Sequence, residues 1–147
     1  MSNLVLRLCV LGGGIGGSVM LAVGLLRRRT IMFQRRFRQR DPQPNEIFLA
    51  ACGVASADHA KIAIAVREVL AEMGGVPATS LWASDKFDSD LQWLPFCNFF
   101  YVSDFADQLA RKSGFRLQGK HLALPHPDIA PRGMTLGDFT LRILECV

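Results

Sequence analysis

The first 40 residues contain no aspartate and no glutamate. They hold eight arginines, a charge of +8, whereas residues 41–147 hold all 13 acids and nine of the 17 basic residues, a charge of −4. The net charge of +4 thus describes neither part, and it is poor support for a basic nucleic-acid-binding domain. Cysteine is scarce as well. Cys9, Cys52, Cys97 and Cys146 are far apart, with no C-x-x-C pair. That spacing argues against a disulfide framework and a zinc site, and leaves buried reduced thiols as the expectation. Only three histidines occur, and His121 and His126 share a proline-rich stretch, Lys120 to Gly133, with no suitable third ligand. No convincing Ser/His/Asp or Cys/His set emerges, so no catalytic residue is assigned and a non-enzymatic protein is expected.

What the N-terminal part does have is an uncharged run, Leu8 to Leu26, followed by seven arginines between Arg27 and Arg40. Nineteen helical residues rise roughly 28 Å, close to the ~30 Å hydrocarbon core of a bilayer. Arg7 at the edge can snorkel to the interface. Gly12 and Gly16, Gly13 and Gly17, and Gly14 and Ser18 form overlapping small-x-x-x-small pairs, the spacing through which membrane helices approach and dimerise. The same glycines spell Gly12-x-Gly14-x-x-Gly17, the turn of a dinucleotide-binding fold. The missing acid counts against an oxidoreductase built on it. The residue that binds a ribose about 20 positions later is absent, and no strand–helix alternation follows. A cleaved signal peptide fits poorly too, because the arginines follow the apolar core. The expectation is one transmembrane helix over residues 4–26.

Arginines on the C-terminal side of a span place residues 27–147 in the cytoplasm, at the inner membrane. Arg27, Arg28, Arg29, Arg35, Arg36, Arg38 and Arg40 are then expected to meet anionic lipid headgroups, with Ile31, Met32, Phe33 and Phe37 entering the interface. Nucleic acid is the less favoured partner. Residues 27–45 form a basic juxtamembrane segment ending in the linker Asp41-Pro-Gln-Pro-Asn45.

Residues 46–147 read as a small helical domain. Glu46–Ser56 is weakly helical. A clearer helix starts near Asp58, a candidate N-cap, and runs to Met73, with Ile62, Val66, Val69, Leu70 and Met73 on one face before Gly74-Gly75 stop it. Ala78–Gln92 is a long connection anchored by Trp82, Phe87 and Leu91. Its Asp85, Asp88 and Asp90 lack the glycine and closing glutamate of a calcium loop and are expected to be solvated. Trp93–Tyr101 is apolar, mostly core, and a candidate docking surface. Ser103 can cap a helix to Ser113 that buries Phe105, Ala106 and Leu109. Thr135-Leu-Gly-Asp138 is a capping box for a last helix that buries Leu136, Phe139 and Ile143.

The order of these motifs resembles the acyl carrier protein family over residues 60–144. Val66–Val76 resembles its first helix, Phe87 and Asp90-Leu91 its long loop, Phe105–Phe115 the end of its second helix, and Met134–Phe139 the start of its last. The resemblance implies a small helical bundle. In that family a serine opening the second helix carries phosphopantetheine; here the register puts Pro95 at that position, and proline has no hydroxyl. The expected protein is therefore all-α: a transmembrane anchor and a carrier-like bundle without prosthetic group, binding a protein partner at the cytoplasmic face, with a homodimer possible through the glycines. The alternative is a genuine acyl or peptidyl carrier that attaches phosphopantetheine at Ser89.

Overall fold

The computed structural model describes residues 23–92, 94, 102–115 and 133–146. The chain divides into two compact units, Met1–Met32 and Phe33–Val147. The described residues form five α-helices: α1 over 23–38, α2 Asn45–Ala51, α3 Ala57–Gly74, α4 Val102–Ser113 and α5 Leu136–Leu144. A short 3-10 helix, Ala78–Ser80, follows α3. No sheet occurs among the described residues, only an isolated antiparallel bridge between Lys86 and Thr135.

The expectation of a transmembrane helix over residues 4–26 is overturned. Among the described residues no helix is long and apolar enough to cross a membrane. The physical reason lies in the described helix α1, which holds only residues 23–26 of the apolar run and continues through six arginines, so it cannot itself be a span. Each arginine at the bilayer centre would cost about 2.5–3.5 kcal/mol on insertion scales. The rest of that expectation, residues 4–22 with Gly12, Gly13, Gly16 and Gly17, lies outside the described residues. The single-pass anchor at the inner membrane, its cytoplasmic domain, the lipid headgroup contacts, the glycine-mediated homodimer and the membrane-tethered interaction module all depended on that span and fall with it.

Helix α3 is the axis of the second unit. It packs against α2, the 3-10 helix, α4 and α5. Ile62, Val66, Val69 and Leu70 are buried as the periodicity predicts, while Met73 is only partly so. Ala63, Ala65, Arg67, Ala71 and Gly74 are buried too, so the helix is covered on several sides. It starts after Ser56 rather than at Asp58. It ends where Gly75 turns to φ +65° and the Val76 N–H donates to Ala71 O at 3.0 Å, a Schellman closure.

Helix α5 begins with the predicted capping box. Thr135 Oγ1 accepts the Asp138 N–H at 3.1 Å, and the Asp138 carboxylate accepts the Thr135 N–H at 3.0 Å. These bonds hold the Asp138 carboxyl below its usual range. Gly137 has a packing reason. Its N–H donates to Ala83 O at 2.8 Å, and a Cβ there would lie 3.2 Å from that oxygen. Leu136, Phe139 and Ile143 are buried, and Phe139 stacks at an angle on Phe87 (5.2 Å) and edge-on with Phe105 (5.7 Å). Helix α4 buries Phe105 and Leu109, with Ala106 half-buried. It includes Val102, so Ser103 sits inside the helix rather than before it.

Candidate functional site

The sequence points to two places, the arginine segment and the loop that carries Ser89. The arginine segment is not uniform. From Phe33 onward it belongs to the second unit. Phe37 is buried in the core and Phe33, one helical turn before it, packs against the core. Gln34 Nε2 donates to Gly74 O at 2.8 Å and Arg38 Nη2 to Gly75 O at 3.1 Å. These donors meet carbonyls left open at the end of α3, where the helix dipole also favours positive charge. Arg35 and Arg36 are exposed, as are Arg27, Arg28 and Arg29.

Arg40 makes a two-pronged ion pair with Asp85, both N–O distances being 2.9 Å. Its guanidinium lies 4.9 Å from the Phe37 ring centre and 4.3 Å from that of Trp82. Asp85 is 2% exposed and also accepts the Trp82 N–H at 2.8 Å. The expectation of a solvated Asp85 is thereby corrected: its partner lies 45 residues earlier, where no local pattern reveals it. The linker is tied down as well. The Gln43 N–H donates to Thr79 O at 2.8 Å, and Trp82 Nε1 donates to Asp41 O at 3.2 Å.

Arg67 is a residue that the sequence did not single out. It is fully buried in α3, over the Phe48 ring at 4.5 Å. It donates to Leu81 O, Asn45 Oδ1, Gln43 O and Thr79 O at 2.9–3.2 Å. Burial pushes its pKa down. Its four acceptors are all neutral, so it joins α3, the linker and the 3-10 turn by geometry rather than by charge pairing. Cys52, also buried, has its thiol pushed up to about 11 by burial and is poorly nucleophilic.

From Leu81 to Leu91 burial largely alternates. Leu81, Ala83, Asp85, Phe87 and Leu91 are buried, while Ser84, Lys86, Asp88 and Ser89 are exposed. This period of two fits a short extended pairing. The Phe87 N–H donates to Met134 O at 3.1 Å and the Leu136 N–H to Asp85 O at 2.8 Å. A turn then closes on Lys86 O, which accepts the N–H groups of Asp90 at 2.9 Å and Leu91 at 3.0 Å. Ser89 lies on that turn, its Oγ 3.4 Å from Asp90 Oδ2. The other two aspartates are also occupied by main chain: Asp90 accepts the Lys86 N–H and Asp88 the Gly133 N–H. Among the described residues no group of three His, Cys, Asp or Glu side chains could hold a metal ion. Pro95, most of Trp93–Tyr101, His121, His126, Cys9 and Cys97 lie outside the described residues.

Comparison with known proteins adds no relative: no family model, no curated protein and no solved structure matches the chain. The carrier resemblance therefore rests on the residues alone.

Proposed function

We propose that residues 60–144 form a carrier-protein-like domain and that Ser89 is the serine it offers for a phosphopantetheine arm. The observation that carries this is the setting of Ser89. Its hydroxyl stands exposed on a hydrogen-bonded turn whose flanks, Phe87 and Leu91, are buried. A carrier needs such a hydroxyl, fixed in place yet open to a modifying enzyme. The order of α3, long loop, α4 and capped α5 supports the likeness. In the family the attachment serine opens the second helix, whereas Ser89 precedes α4, so this domain would present its arm from the loop.

In the reaction, Ser89 Oγ would attack the pyrophosphate of coenzyme A. A phosphodiester forms, the P–O–P bond breaks, the hydroxyl proton leaves to base, and adenosine bisphosphate departs. The test is intact mass of the full chain after incubation with coenzyme A and a phosphopantetheinyl transferase. The expected result is a gain of one arm, abolished in Ser89→Ala. No gain overturns carrier function, and a gain that survives Ser89→Ala overturns the assignment to Ser89.

A further inference from the structure

We propose that residues 33–43 are a strap that sets the order of the Ser89 loop, with the Arg40–Asp85 pair as its clasp. Asp85 faces two ways. Its carboxylate takes both prongs of Arg40 and the Trp82 N–H. Its main-chain oxygen takes the Leu136 N–H at the start of α5. The turn that carries Ser89 begins at the next residue, Lys86, and is closed by the Asp90 carboxylate on the Lys86 N–H at 3.1 Å. The strap, the Ser89 turn and the α5 cap therefore converge within two consecutive residues.

Electrostatics makes the coupling directional. Asp85 is 2% exposed and Arg40 is 23% exposed. When the strap lifts, Arg40 can hydrate where it stands, but Asp85 is left buried with one neutral donor. A buried carboxylate stripped of its cation is strongly unfavourable. The loop relieves this by turning Asp85 toward water, which breaks the Asp85–Leu136 hydrogen bond and slackens the turn beyond it. Helix α3 stays in place, because its own burial holds it. The functional meaning of this strap rests on the reading of Ser89 given above, but the coupling is measurable without any modification.

Amide hydrogen exchange of the full chain tests it. In Arg40→Ala, the amides of Phe87, Asp90, Leu91, Leu136 and Gly137 should exchange at least about tenfold faster, with those in the middle of α3 unchanged. No acceleration overturns the proposal. Equal acceleration in α3 also overturns it, since the strap would then be only one part of a single cooperative unit. Arg40→Lys keeps the charge but loses the two-pronged, flat geometry. It should give a smaller acceleration at the same amides, and it decides the matter if the alanine variant does not fold; native exchange in Arg40→Lys overturns the role of the clasp geometry. A chain that accepts no arm yet shows the coupled exchange overturns the Ser89 reading and upholds the strap.

Discussion

Residues 23–32 and residues 33–43 are built from similar material, arginines interleaved with large apolar side chains. In the first stretch Val23, Leu25, Leu26, Ile31 and Met32 are all exposed. In the second Phe37 is buried, Arg40 sits in an ion pair between two rings, and Gln34 and Arg38 close the end of α3. Composition does not separate the two. Position does: Phe33 and Phe37 stand one turn apart on α1, and the polar side chains after them meet specific carbonyls and a carboxylate. A basic, aromatic segment can thus be a structural part of a domain rather than a surface for an outside partner.

The sharpest way to break this comparison is to cut the strap from the α3 side. Arg67→Met should destabilise the second unit by about 3 kcal/mol or more, because it takes the Arg67 donor from four buried or part-buried acceptors at once and leaves Thr79 O with the Gln43 N–H. A loss below about 1 kcal/mol in urea unfolding would mean that the linker is not held as described. Next comes a direct pairwise test. Phe37→Ala should cost about 3–4 kcal/mol as a core truncation, and Met32→Ala less than about 0.5 kcal/mol as a surface change. Equal losses would erase the boundary between the two stretches. The smallest effect is a reference away from both. Asp138→Ala should cost about 0.5–1 kcal/mol at neutral pH by losing half of the capping box. The carboxyl is held below its usual range in the folded chain, so its contribution is present above about pH 4 and is lost as acid protonates it. The gap between native and Asp138→Ala stability should therefore close on acidification, and a gap that stays constant down to about pH 2 would contradict that assignment.

What was legible in the sequence was local. The capping box at Thr135 and Asp138, the buried stripe of α3 and the glycine stop after it are all set by residues within a few positions of one another. What was not legible was set at long range. Asp85 and its neighbouring aspartates read as a solvated acidic loop, because the cation for Asp85 and the amide for Asp88 each lie 45 residues away. Arg67 was not singled out, because a single buried stripe was expected where α3 is covered on several sides. For Ser89 the sequence offered a position, as the alternative attachment serine, and no setting. Its exposure between buried anchors depends on a pairing with residues near Met134 that no local period announces.

The strap also fixes an order of events. The partners of its Gln34, Arg38 and Arg40 side chains, Gly74, Gly75, Ser80 and Asp85, all lie C-terminal to it, at separations of 37 to 45 residues. None of these bonds can form before α3 and the turn after it have been made. During synthesis the chain emerges from its N-terminus, so the strap waits with Phe33 and Phe37 uncovered until α3 and that turn exist. The segment of this domain that leaves the ribosome first is the one that must dock late.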